Sequence, residues 1–288
     1  MSDTNAVRPR RRRLPLPTTF GGVAAVAERR GWWLIGWQWG FALASAVAIV
    51  LSFDGAWGQP IARAIASLPD AGGIRDARLE WPADAPRTLY EGSHLSLVVD
   101  PDGRRDRGLA SDITLALEGD RIAFRSLLGW VAFPYPPGTR WSLARLDMVG
   151  WLTAWRGPFL LVLGCGVFAG LLASWGLLAL VYAAILWVPA RIFRPPPSYA
   201  LLWRAAGAAQ LPGCLLMTIA IALYASHQIG LIALLVALPL HLLCGWVFCA
   251  GALFRLQGDE PRGANPFRSP GEAPLDSLPE PDHPFRPR

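Results

Sequence analysis

WLIGWQWGFALASAVAIVLSF, residues 33–53, is the stretch that decides the fold class. It carries no charge, and Trp32, Trp33, Trp37 and Trp39 crowd its start. A helix rises about 1.5 Å per residue and bilayer hydrocarbon is about 30 Å thick, so roughly 20 apolar residues reach across. Tryptophan favours the headgroup zone, which places this end at an interface. The rival reading is a cleaved signal peptide. A leader of some thirty residues and an apolar run longer than the usual roughly 7 to 15 residues favour an uncleaved anchor.

Three further runs of the same character follow, at 159–188, 205–225 and 229–254. The second is long for one perpendicular span and short for two, so it is expected to tilt or to extend past the membrane face. The third is the weakest, with Gln210 and the Pro212-Gly213 pair, and the fourth contains Pro239 and His241. Between Met148 and Gly258 there is no acidic residue. Closely spaced spans favour that, because an unpaired carboxylate in lipid is costly.

Composition agrees. Hydrophobic residues make up 53 % of the chain and charged residues 17 %, an apolar excess that needs a solvent other than water. All 27 basic residues are arginine, which with heavy Ala, Gly and Pro usage resembles the coding bias of a GC-rich bacterial genome. The net charge of +6 comes mostly from two flanking segments, +5 over residues 1–31 and +3 over 190–204. No zinc finger, RNA-recognition signature or basic-aromatic groove accompanies it, so nucleic acid is not an expected partner. Arg8, Arg10 to Arg13, Arg29 and Arg30 precede the first run, Arg191, Arg194 and Arg204 separate the second from the third, and Arg255 follows the fourth. The short turn at 226–228 has none. The positive-inside rule then puts both termini in the cytoplasm of a multi-pass protein of a bacterial inner membrane. The consecutive arginines at 10–13 also suit anionic lipid, although setting topology suffices to explain them.

The segment 54–157 changes character. Residues 59–68 suit a short helix. Leu95, Leu97 and Val99 alternate, as do Ile113, Leu115 and Leu117, and then Ile122 and Phe124, which predicts three strands. Asp100-Pro101-Asp102-Gly103 is a type I turn signal, and Glu118-Gly119-Asp120 a hairpin connection in which glycine takes a positive φ. Leu143, Leu146, Val149 and Leu152 mark one face of an amphipathic helix over 141–155. The expected class is an α-helical integral membrane protein with four transmembrane helices and a small extracytoplasmic α+β domain between helices 1 and 2. Residues 1–31 form a cytoplasmic Arg-rich segment, and 257–288 a disordered Pro-rich cytoplasmic tail with overlapping PxxP spacing.

Candidate functional residues are few. His241, beside Pro239, is an ionisable group inside a span, which either serves function or simply bonds a neighbouring helix. Gln210 and Pro212 pose the same question, and a kinked pair of helices meeting near Gln210 and His241 would enclose a polar pocket. Gly166, Gly170 and Ser174 form a small-xxx-small seam suited to packing within the chain or to dimerisation. Cys165, Cys214, Cys244 and Cys249 sit in apolar runs without CxxC spacing and read as packing residues. No G-x-S-x-G, HExxH, Walker or G-x-G-x-x-G pattern occurs; His94, His227, Ser93 and Ser96 belong to no catalytic arrangement visible in the sequence. No catalytic residue, cofactor or metal is therefore expected. The expected partners are the lipid bilayer and a protein partner or a second copy, with any small-molecule ligand unknown.

One run, then a β-rich insert with Leu95-Ser-Leu-Val-Val-Asp100-Pro-Asp-Gly103 and the hairpin over 113–124, then three runs, with Tyr199-Ala-Leu-Leu-Trp203 ahead of Pro212, resembles a family of four-pass bacterial membrane proteins. That family, a domain-of-unknown-function group, is sometimes labelled maltodextrin-utilisation membrane proteins and is distantly similar to Yip-type proteins. The resemblance covers about residues 30–255. The family has no established activity, so the resemblance transfers no catalytic residue. Without a catalytic set, the expected role is that of a non-enzymatic interaction or scaffold protein whose extracytoplasmic domain binds a partner. A transport component with a polar cleft near His241 and Gln210 is the alternative.

Overall fold

The amphipathic and apolar runs become helices whose lengths differ from their spacing in the sequence. The computed structural model describes residues 16–85, 87–102, 111–192 and 196–256. Arg8, Arg10 to Arg13, Gly103, Arg194 and the tail at 257–288 lie outside the described residues.

Among the described residues, six α-helices and a π-helical turn are joined by eight strands in two sheets. The expected class of a four-helix integral membrane protein with a small appended domain is thereby corrected: the fold is mixed α+β. Two sheets, an N-terminal helix and a short helix beside the larger sheet all contribute to it. Within it, four helical segments, Gly31–Ala66, Arg145–Ala190, Tyr199–Ala225 and Leu231–Leu253, are long and apolar enough to cross a membrane by length and composition.

The helix α1 (Phe20–Glu28) starts where the Thr19 side chain accepts a hydrogen bond from Gly22 N at 3.0 Å. Its Val23, Val26 and Ala27 are buried against the bundle, so part of the Arg-rich leader is folded core. Helix α2 (Gly31–Phe53) passes through a π-helical turn (Asp54–Gly58) into α3 (Gln59–Ala66). Arg156 grips that turn, its Nε donating to Asp54 Oδ1 at 2.9 Å and its Nη2 to Oδ2 at 2.7 Å.

Helix α4 (Arg145–Ala190) runs unbroken for 46 residues through Pro158. The amphipathic helix expected over 141–155 and the run at 159–188 are thus one element. At about 1.5 Å per residue it is far longer than the hydrocarbon layer of a bilayer is thick. Helix α5 (Tyr199–Ala225) lies innermost. Its apolar window is 56 % buried, against 11 % for α6 (Leu231–Leu253). This accounts for its weak hydropathy, since Gln210, Pro212 and Gly213 face protein. The small residues Ala205, Ala206, Gly207, Ala208 and Ala209 let neighbours approach closely; a Cβ on Gly207 would stand 3.3 Å from Leu34 Cδ2.

The larger sheet has the order β3 (Thr88–Glu91), β4 (Leu95–Asp100), β5 (Ile113–Glu118), β6 (Arg121–Ser126), β7 (Gly129–Pro134). All neighbours are antiparallel except β4 and β5, which run parallel in the register Leu95↔Ile113 to Asp100↔Glu118. One face carries the apolar residues of the alternating pattern. On its β3–β4 side α3 packs down, with Ser67 Oγ donating to Leu89 O at 2.8 Å and Leu95 and Val99 buried. The other face carries the small row Val98, Ala116, Ala123 and Ala132, beneath Glu118, which receives Arg121 and Arg125 at 2.9 and 2.8 Å. Gly119 does not take the positive φ expected of it. It is needed because a Cβ there would come within 2.6 Å of Pro101 O. A small sheet, β2 (Arg78–Glu80), β1 (Gly73–Arg75), β8 (Arg140–Ser142), sits at the head of α4, where Arg145 Nη2 donates to Asp70 Oδ1 at 2.8 Å.

Candidate functional site

Helical spacing of four puts Gln210, Cys214 and Thr218 on one stripe of α5. Facing them are Ser45 of α2, Ser174 and Trp175 of α4, and His241 of α6, and together they line a cavity of about 110 Å³. Thr218 Oγ1 donates to Ser45 Oγ at 2.9 Å, and Ser45 Oγ lies 3.1 Å from Cys214 Sγ. His241 Nδ1 is buried and finds no hydrogen-bond partner among the described residues, while the Gln210 side chain interacts with Tyr182. A buried polar atom is stabilised by about 1–3 kcal/mol when it is hydrogen-bonded, and the cavity offers polar side chains for that purpose. A water occupies about 30 Å³ of liquid, so there is room for a few.

Gln210 and His241, which the sequence singles out, therefore meet. Pro212 and Pro239 do not line the space; α5 and α6 continue through both. The close seam of the bundle lies between α5 and α6, where a Cβ on Gly213 would collide with the His241 carbonyl oxygen and one on Gly245 would stand 3.3 Å from Gln210 Oε1. Gly166 and Gly170 lie on an exposed face of α4, where an added Cβ meets nothing within 4 Å among the described residues. Of that trio only Ser174 reaches the cavity. The four cysteines are free, Cys214 and Cys249 buried.

A second polar cluster joins the larger sheet to the far end of α5. Asp112, at the head of β5, accepts from the Tyr224 hydroxyl at 2.8 Å and lies 3.1 Å from His94 Nδ1. The His94 ring is buried, stacked on His227 at 4.2 Å and 3°, and packed on Tyr224 at 4.2 Å. His227 Nδ1 lies 2.8 Å from Ser93 Oγ, and φ of +61° at His227 turns the chain sharply after α5. Hydroxyl, imidazole and carboxylate do not line up as a relay, because Asp112 orients His94 and not the His227 that bonds Ser93. The cluster acts as a latch between strand ends and helix end. Among the described residues no three His, Cys, Asp or Glu side chains form a metal-binding group.

No protein-family model, curated protein or solved structure matches the chain. In the sequence His94 and His227 belong to no catalytic motif. Only the tertiary contact across 134 positions brings His227 to Ser93, and no spacing signal exists that would have shown it.

The remaining surfaces are in the strand-rich region between α3 and α4. Tyr135 is buried and donates to Glu118 O at 3.0 Å; burial, then the nearby Asp120 and Glu118 carboxylates, push its phenol well above the usual tyrosine range. On the apolar face of the larger sheet, cover ends before β6. Phe124, Val131 and Phe133 are 36 %, 49 % and 56 % exposed, and β7 pairs only with β6 among the described residues.

Proposed function

We propose that the chain is a non-enzymatic interaction protein of a bacterial inner membrane. Its four long apolar helices cross the bilayer, both termini are cytoplasmic, and the larger sheet offers its β7 edge and apolar face to an extended segment of a partner protein. The observation that carries this is the β7 edge beside Phe124, Val131 and Phe133, which pairs with no further strand among the described residues, since an unpaired strand edge with apolar side chains is a template for strand addition. The topology is supported by the arginines: Arg204 Nη1 donates to Arg29 O at 3.1 Å and Arg191 stacks on Trp187 at 3.9 Å, at the end of the bundle away from the latch. The latch fixes the sheet to α5, so a bound partner would be held at a defined position over the membrane.

The test is a photo-crosslinking amino acid at Phe133 in cells, with one at Asp120 as control. A specific adduct at 133, absent at 120 and lost in the Val131→Asp variant, is expected. An adduct of two copies of this chain, or none, refutes the partner reading. A reporter fused after Arg288 is expected to be active on the cytoplasmic side; activity only outside the cell refutes the topology.

A second reading, a transport component, rests on the cavity lined by the polar side chains of Gln210, His241, Ser45 and Thr218. It suits a small neutral polar solute, because no carboxylate lines the space. Replacing His241 with Leu should abolish flux of such a solute into proteoliposomes, and unchanged flux removes this reading.

A further inference from the structure

The register of the larger sheet fixes which of its ends faces the bundle. Leu95, Ile113, Ser126 and Gly129 form one row across four strands. Immediately beyond that row lie Ser93, His94 and Asp112, which hold His227 and Tyr224 at the end of α5. The turn between β6 and β7, made by Leu127 and Leu128, projects from the same side of the same row. It therefore stands level with the α5–α6 turn, three strands along the sheet from β4.

That turn is the wrong chemistry for water. Leu127 is 55 % exposed, Leu128 75 % and Trp130 71 %, and Gly129, with φ of +125°, forms the bend that presents them. No residue over 126–139 is charged. Tryptophan next to leucines is the composition that settles at the boundary between headgroups and acyl chains.

We infer that the β6–β7 hairpin tip dips into the outer leaflet of the bilayer, with Leu127 and Leu128 among the upper acyl carbons and Trp130 at headgroup level. The inference rests on the membrane reading above and adds a lipid contact to the outer domain. Two attachments, the latch at β4–β5 and the tip at β6–β7, would hold the sheet upright, leaving the face with Phe124, Val131 and Phe133 clear at the side.

The full-length protein is reconstituted in phosphatidylcholine–phosphatidylglycerol vesicles with an environment-sensitive fluorescent amino acid at one of three positions. Leu128 tests the tip, Asp120 marks the opposite end of the sheet, and Leu161, 68 % exposed on α4, tests the span. At 128 a blue-shifted emission is expected, quenched more strongly by a nitroxide near the headgroup than by one deep in the chain. The probe at 161 should be quenched by the deep nitroxide and that at 120 by neither. Quenching at 161 without quenching at 128 overturns the inference alone. No quenching at 161 overturns the membrane reading and the inference with it. A blue shift at 128 that no lipid nitroxide quenches means the tip is buried against protein, which also overturns it. Repeating the measurement at Leu127 guards against a local effect of the substitution at 128.

Discussion

Removing one hydroxyl, Tyr224→Phe, should loosen the larger sheet from the bundle. The hydroxyl donates to Asp112 Oδ2 at 2.8 Å, and the same oxygen lies 3.1 Å from His94 Nδ1. A hydrogen bond to a charged group contributes about 1.5–3 kcal/mol, and each 1.4 kcal/mol is tenfold in an equilibrium. The Asp112 side chain is 23 % exposed, so water replaces part of what is lost, which places the effect toward the lower end. The population of the undocked state should rise roughly 10- to 30-fold. Amide hydrogen exchange in detergent or nanodiscs reads this directly. Exchange over residues 93–96 and 224–228 should accelerate by that factor, while the interiors of β5, β6 and α5 stay protected, because the opening is local. Asp112→Asn should act similarly, and the double variant should show less than the sum of the two effects, as expected of groups in contact. Unchanged exchange in a folded Tyr224→Phe protein, or additive effects in the double variant, would refute the latch.

Three further outcomes follow from contacts elsewhere. Arg156→Lys keeps the charge but loses the two-pronged grip on Asp54, and should lower the thermal midpoint in detergent almost as much as Arg156→Gln, each by about 1–3 kcal/mol of stability. Gly213→Ala pushes a methyl into the His241 carbonyl and should destabilise the α5–α6 seam by about 1–3 kcal/mol, whereas Gly166→Ala and Gly170→Ala should leave the midpoint unchanged; equal effects at all three would contradict the packing described. Tyr135 should make stability fall at alkaline pH. Its folded-state phenol is raised above the unfolded value, so its contribution is complete below about pH 10 and is lost as pH climbs past it, and Tyr135→Phe should flatten the alkaline limb of a stability–pH curve.

The long apolar helices were legible because a charge-free run of sufficient length has few alternatives, and α2, α5 and α6 begin and end within a few residues of the runs, except that α5 starts at Tyr199. Alternation found β4, β5 and β6. It missed β7, whose Trp-Val-Ala-Phe run is apolar on both faces, and the three-residue strands of the small sheet, which are too short to show a period. The parallel pairing of β4 with β5 is also invisible locally, since a turn signal at Asp100 says where the chain bends and not which strand it next joins. The unbroken α4 ran against the punctuation value of Pro158, whose lost hydrogen bond did not end the helix. Gln210 and His241 could be picked out because a polar side chain in an apolar run is conspicuous against its neighbours. His94, Asp112 and His227 could not, because polar residues in a water-facing segment are ordinary until tertiary structure stacks them. The same asymmetry holds across the described residues: in a long apolar run each polar residue is informative, whereas in the strand-rich region only the register of the strands reveals which residues meet.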